Sequence, residues 1–596
     1  MKWRATHGYS MKNIINTPVL DHDPDVILNT GWKAVADAIA GATGQAASDK
    51  PVFVGIDGYV GVNWKSFIAN IRDHLPVHLQ AALFIDVETA MKPQSAIDRM
   101  LRSFLGSDPV FGRIYKKGIS GFYDSGKLRQ IVSRLKKLKR SSDSRLIICY
   151  GHGAGMPVLR RQYDRLLYID LTRQESLRRN RDWSKISGKT QSIGPKKLYY
   201  VDFQASDRHR KSLFEHIDYY IDANTGDSPK MMPAASFFTL TRTLASSPFA
   251  LKYIYEPGPW GGQWLRKIRE LPSEWVNCAW SFEVIAQEMS LLVGLKSEII
   301  EIPWNTFLDL EYERIIGDVP KRRFDGQFPI RFDYLDTMDG GDLSIQVHPT
   351  TAYIQKHFNE PYHQGEMYYI VDAKENARVN LGLNEDVEPE EFHRAARRAD
   401  EQRIPFDYRQ FVHSVPVDKH DLLMIPPGTV HGSGEGNVVL EISATTYRYT
   451  FKIYDHLRPD LNGEMRPIHV RHAFNVIKWF RKSRWVDANL RGQPERVRFD
   501  SDWEEFKIAD RREFFHVVFR LEFETEIDDD TDGQFHVLTL VEGSDILLRS
   551  LNDNTRQIDF SYSETIVVPA CFGPYRIINR GAGACKVVKA RLRSNH

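Results

Sequence analysis

The chain has 596 residues, 42% hydrophobic and 27% charged, with a formal net charge of +2. That length exceeds one compact core and implies about two to four domains, while the near balance of charge gives no electrostatic case for nucleic acid or an anionic membrane. Cys149, Cys278, Cys571 and Cys585 lie far apart without CxxC spacing, which speaks against a disulfide framework or a cysteine-based zinc knuckle and for a reducing compartment. The start, Met-Lys-Trp-Arg-Ala-Thr-His-Gly, lacks a signal peptide's apolar core, and no apolar run is long enough to span a bilayer, so the expected address is the cytoplasm.

Residues 1–47 read as an amino-terminal extension. Over residues 48–225 short apolar runs alternate with amphipathic stretches: 51–56, 82–86, 146–150 and 166–170 read as buried strands, and 127–137 as a helix. Such alternation predicts an α/β domain with a parallel sheet and covering helices. Asn224-Thr-Gly-Asp-Ser-Pro-Lys reads as a linker. From about 230 to 480 the pattern becomes strand- and turn-rich. One helix is expected at 389–402, within an insertion of about 384–412, with Pro and acidic residues in its first turn as the helix dipole favours. Residues 500–596 carry strand patterns at 535–543, 565–570 and 586–592 and predict a second small β-barrel.

The segment carrying most chemistry is Leu343-Ser-Ile-Gln-Val-His-Pro. On a strand, residues two apart share a face, so Gln346 and His348 point together into one interior. Downstream, Glu366 opens an apolar strand and His431 follows a Pro-Pro-Gly turn. Two imidazoles, one carboxylate and one amide oxygen suit zinc or another divalent first-row metal. Singly, each residue has a bland reading as a core or turn residue; the four together are harder to explain that way.

These segments resemble class I phosphomannose isomerases, whose cupin barrel binds zinc through a Gln-x-His pair, a glutamate and a final histidine. The likeness extends to Pro259-Trp-Gly-Gly, Ala279-Trp-Ser-Phe-Glu-Val, Phe328-Pro-Ile-Arg-Phe-Asp-Tyr-Leu-Asp, Thr450-Phe-Lys-Ile-Tyr-Asp-His-Leu-Arg and Val568-Pro-Ala. The resemblance implies β-rich cupin (jelly-roll) domains, one Zn2+ per chain on Gln346, His348, Glu366 and His431, and interconversion of mannose 6-phosphate and fructose 6-phosphate. It implies catalytic roles for Lys452, Glu441 and Arg458, and contacts to a phosphorylated hexose from Ser344, His363 and Trp260. Two family lysines are replaced, by Gln364 and Asp333, and a family arginine is Lys452; lysine and arginine are not equivalent at a phosphate. The metal set is complete while the substrate surroundings are edited.

The run Val54-Gly-Ile-Asp-Gly-Tyr-Val-Gly-Val-Asn-Trp-Lys-Ser resembles the P-loop of uridine-kinase-like enzymes, with Lys65, Ser66 and Asp86 at the matching positions for a nucleotide. Trp64 stands where a working loop wants glycine before the lysine, so that backbone amides reach the phosphates. The expectation is a degenerate kinase-like domain, and Gly151-His-Gly-Ala-Gly reads as a turn. Two alternatives stay open: a bifunctional kinase-isomerase, and a non-catalytic, metal-containing sugar-binding regulator.

Overall fold

The computed structural model describes residues 2–5, 14–17, 26–44, 50–141, 145–180, 194–225, 228–285, 287–295, 298–319, 323–446 and 448–593. The chain forms two compact units. One comprises Pro18–Thr243 with Ser290–Glu311, the other Met1–Thr17, Leu244–Met289 and Tyr312–His596.

The first unit is built on a seven-stranded sheet in the order Asn29–Thr30, Lys230–Pro233, Tyr219–Asp222, Arg165–Asp170, Val52–Gly58, Leu146–Tyr150, Leu83–Asp86. The last five are mutually parallel. Val52–Gly58 lies at their centre and is buried along its whole length, as a strand covered on both faces must be; hence its continuous apolar run. The stretch read as a linker instead leads into Lys230–Pro233, which returns antiparallel against Tyr219–Asp222 and adds to the sheet. The helix Ala234–Leu244 follows, where strands were expected. The hairpin of Ser290–Leu295 and Glu298–Pro303 also belongs to this unit. Asp222 Oδ2 accepts from the Glu301 amide at 2.8 Å, and Thr306 Oγ1 donates to Asp170 Oδ2 at 2.5 Å. Buried carboxylates at the strand ends thus recruit a segment distant in sequence.

The second unit is rich in antiparallel sheet. A six-stranded sheet runs Ile254–Glu256, Trp280–Val284, Ile330–Asp336, Asn437–Ala444, Glu366–Ala373, Leu422–Ile425; a five-stranded one runs Val412–Pro416, Arg378–Leu383, His431–Ser433, Ile345–Val347, Phe451–Tyr454. The expected helix forms over Pro389–Gln402 with Pro389 in its first turn beside Glu390 and Glu391. Phe392, Ala396 and Ala399 are its buried face, at the helical spacing of four and three. Farther on, a six-stranded sheet (Glu495–Phe499, Trp503–Ala509, His516–Phe523, Cys585–Leu592, His536–Glu542, Thr565–Val568) packs on a four-stranded one (Glu526–Asp530, Pro574–Asn579, Asp545–Ser550, Gln557–Ser561). Their shared core includes Leu521, Leu538, Leu540, Val587, Ile546, Leu548 and Ile577. No helix among the described residues is long and apolar enough to cross a membrane.

Candidate metal centre

Glu366 comes from the six-stranded sheet, while Gln346 and His431 are directly paired on the five-stranded one, with His348 just beyond the strand end. The centre therefore lies where the inner faces of two sheets meet. Glu366 Oε2 is 3.0 Å from His348 Nε2, and its Oε1 is 2.7 Å from His431 Nε2. His348, Glu366 and His431 form the metal-capable group found among the described residues, and all three are buried. One ligand atom from each of the three lies within 4.8 Å of the others, and such a buried, convergent donor set is what a cation would satisfy. Burial works against the ionised Glu366, but the two facing imidazoles outweigh it and hold its pKa well below the usual carboxylate range.

The surrounding groups orient these donors. His431 Nδ1 meets the Thr429 carbonyl at 2.9 Å, which leaves Nε2 for a ligand role. Gln364 Nε2 donates to Glu366 Oε2 at 2.9 Å, so this amide braces the carboxylate. Ser344 Oγ donates to Gln346 Oε1 at 3.0 Å, while Gln346 Nε2 faces His431 Nε2 at 3.2 Å. For Gln346 to ligate through oxygen the amide turns over, and the Ser344 hydroxyl accepts as readily as it donates.

Two charged groups flank this centre. Lys452 is the cross-strand partner of Gln346. Its Nζ lies 3.6 Å from Asp455, which also meets Arg458 at 3.2 Å and Arg466 at 3.0 Å. Three cations share one carboxylate. Burial, reinforced by Arg466, pushes Lys452 down to about 8. Arg466 was not singled out in the sequence, because its place beside Asp455 depends on how the loop after Phe451–Tyr454 folds back. The second group follows from register: Arg331, Ser443 and Glu366 form one row across three strands, and Asp333, Glu441 and Tyr368 the next. Arg331 Nε is 3.0 Å from Asp333 Oδ1, and its other end binds Glu441. Burial pushes Asp333 up to about 6 and raises Glu441 well above its ordinary value, with Arg331 opposing both. Arg331 sets a cation beside Asp333; its period-two spacing from Asp333 was the available signal.

Two further residues expected to touch substrate, His363 and Trp260, are held as follows. His363 has both ring nitrogens engaged, Nδ1 by Thr351 Oγ1 at 2.6 Å and Nε2 by the Glu513 carbonyl at 3.0 Å. Trp260 is fully buried edge-on to Trp280, and its carbonyl accepts from the Gly341 amide at 3.0 Å, which braces the approach to the Ile345–Val347 strand.

In the other unit, Trp64 does not sit in an open cradle. Its indole is buried against Phe67 and Tyr150, so the chain bends to send it into the core. Lys65 and Ser66 are exposed on the first turn of the helix Trp64–His74, and the Asn63 side chain takes the Ser66 amide at 3.0 Å. Asp86 caps its own following turn through the Glu88 amide. The anion of this region is Asp57. Its Oδ1 accepts from the Gly58 and Gly153 amides at 2.7 and 3.0 Å, and its Oδ2 from the Gly155 amide at 2.6 Å and from His209 Nε2 at 2.7 Å. A Cβ on Gly155 would stand 2.9 Å from Asp57 Oδ2, and Gly153 has φ +97°. The glycine-rich turn therefore exists for close backbone approach to this carboxylate.

A family model described as a domain of unknown function (DUF8485) matches residues 31–246. The mannose-6-phosphate isomerase ManA of Bacillus subtilis is 28% identical over 245 residues, covering 39% of this chain and 69% of that protein. A mannose-6-phosphate isomerase of Streptococcus mutans is 29% identical over 224 residues, covering 37% and 64%. Over part of its length the chain is homologous to mannose-6-phosphate isomerases. Among solved structures, the mannose 6-phosphate isomerase of Bacillus subtilis aligns with 58% of this chain and 99% of its own, at 20% identity and a TM-score of 0.46.

Proposed function

We propose that the strand-rich unit is a metal-dependent aldose-ketose isomerase that interconverts mannose 6-phosphate and fructose 6-phosphate. The observation that carries this reading is the buried His348–Glu366–His431 set with Gln346 beside it, facing a cluster of cations one strand away. The isomerase names of the homologous proteins agree with it.

The donor set, two imidazoles with a carboxylate and an amide, fits one Zn2+, which when bound would supply Lewis-acid polarisation of the sugar oxygens. Aldose-ketose exchange moves a proton between adjacent carbons through an enediol, so it needs a group that takes and returns a proton within the site. We assign that role to Lys452, opposite Gln346, and to Glu441, on the row next to Glu366. Arg458 and Arg466 present guanidinium groups that share the Asp455 carboxylate with Lys452, which leaves positive charge for a phosphate. Ser344 and Gln364 hold Gln346 and Glu366 in place. This chemistry falls within the part of the 230–480 stretch that belongs to the strand-rich unit, from which the segments up to Thr243 and Ser290–Glu311 are excluded, with 500–596 as an appended barrel.

The amino-terminal unit reads as a kinase-like fold that no longer transfers phosphate. Its loop joins the central parallel strand to a helix, as a phosphate loop does, but Asp57 supplies the anion from within. The four unpaired cysteines favour a reducing, cytoplasmic setting.

The test is a coupled isomerase assay on purified, zinc-loaded protein with mannose 6-phosphate. Turnover abolished by chelator and restored by zinc is the expected result. Zinc retained without turnover would refute the isomerase reading and favour a sugar-binding regulator.

A further inference from the structure

The carboxy-terminal barrel holds a cavity of about 490 Å³, lined among others by Arg498, Glu505, Phe519, Asp529, His536 and Lys589. None of these residues belongs to the metal centre. Lys589 lies two residues beyond the core residue Val587 on the same strand, so its side chain enters the barrel interior. It is 3% exposed, an unusual burial for a lysine. Its Nζ is 2.8 Å from Glu505 and 2.5 Å from Asp529. Arg498 reaches the same two carboxylates. Tyr575 OH donates to Asp529 Oδ2 at 3.0 Å and meets His536 Nδ1 at 2.7 Å. With the phenol proton on Asp529, Nδ1 carries the imidazole proton and Nε2 remains an acceptor. Burial pushes His536 down to about 3, which keeps the ring neutral.

A stabilising core has no use for this arrangement, because buried ion pairs seldom outperform well-packed apolar side chains. Rigid donors and acceptors around a cavity are instead the build of a small-ligand site, and barrel mouths are a preferred place for one, with volumes of about 300–1,000 Å³. The lining decides the class of ligand. Among the lining residues the carboxylates Glu505, Asp528, Asp529, Asp530 and Asp532 outnumber the cations Arg498, Lys589 and Arg591, while Asp528 is also held by Arg576 from outside the lining. The remaining carboxylates disfavour a phosphate. Fixed carboxylates beside guanidinium and ammonium groups, with Lys589 and Arg591 held over the Phe519 ring at 5.1 and 5.3 Å, match the vicinal hydroxyls of a neutral sugar.

The geometry points to a second carbohydrate site in the mouth of the carboxy-terminal barrel, for an unphosphorylated saccharide. It is separate from the site proposed for the phosphosugar and does not depend on that reading.

The test uses full-length, zinc-loaded protein, with D-mannose and maltose as neutral probes, followed by saturation-transfer NMR and calorimetry. At least one probe is expected to bind, with affinity about tenfold weaker in Arg498→Ala and unchanged in His348→Ala. Arg498 is partly exposed at the rim, so Arg498→Ala is expected to fold and to keep wild-type isomerase activity; Asp530→Ala provides an independent second lining variant. Three results overturn the inference: neither probe binds; binding is lost in His348→Ala and kept in both barrel variants; or only divalent cations shift signals from this barrel.

Discussion

Replacing Asp57 tests whether the amino-terminal unit supplies its own anion. In Asp57→Ala the Gly58, Gly153 and Gly155 amides and His209 Nε2 lose their common acceptor in a fully buried site. Hydrogen bonds to a charged group contribute about 1.5–3 kcal/mol each, and removing one partner of a buried pair costs about 3–5 kcal/mol once the remaining groups relax. A loss of about 3–5 kcal/mol is therefore expected for this unit, with Asp57→Asn intermediate because it keeps the shape and one acceptor. Urea unfolding followed by tryptophan fluorescence gives the loss, Trp64 and Trp32 serving as reporters in this unit. The decisive arm adds inorganic sulfate or phosphate. The alanine variant, holding three inward amides and an imidazole around a vacated position, should regain stability as the anion is titrated, while the wild type should not respond specifically. A loss under about 1 kcal/mol, or equal stabilisation of both proteins by phosphate, would refute the reasoning.

Four further outcomes are expected. His348→Ala and His431→Ala should each lose most bound zinc, measured by elemental analysis, together with activity; full zinc occupancy in both would remove the site assignment. Burial lowers His152 to about 4 from an ordinary 6.5, so the unfolded state takes the proton first on acidification. That stability is present above pH 6.5 and is lost as pH falls towards 4, by about 3 kcal/mol, and urea midpoints across that range should show the loss disappear in His152→Gln. Arg466→Met should raise KM for mannose 6-phosphate about tenfold or more with a smaller effect on kcat, the pattern of a lost phosphate contact. Glu441→Gln should lower kcat by at least about a hundredfold, as for a lost proton carrier, while zinc content stays at the wild-type level.

What residue order determined by itself was local in character. Period-two placement of Gln346 and His348, the Glu366 strand and the Pro-Pro-Gly turn before His431 were each legible, because strand geometry and turn chemistry are properties of a few consecutive residues. The same holds for the helix Pro389–Gln402, whose proline, acidic first turn and spaced apolar residues state its start and buried face. Tertiary structure alone decided what meets what. Arg331 becomes the partner of Asp333 and Glu441 only through the pairing of Ile330–Asp336 with Asn437–Ala444. His363 is engaged by Thr351 and the Glu513 carbonyl, the latter 150 residues away. Ser290–Glu311 joins the amino-terminal unit because Asp170 and Asp222 need donors at their strand ends. Asp57, which reads as one more residue of a glycine-rich loop, becomes that loop's anion only when Gly153, Gly155 and His209 close around it. A buried charge is stabilised by the partners folding brings to it, and those partners are set by register and packing across long stretches of chain.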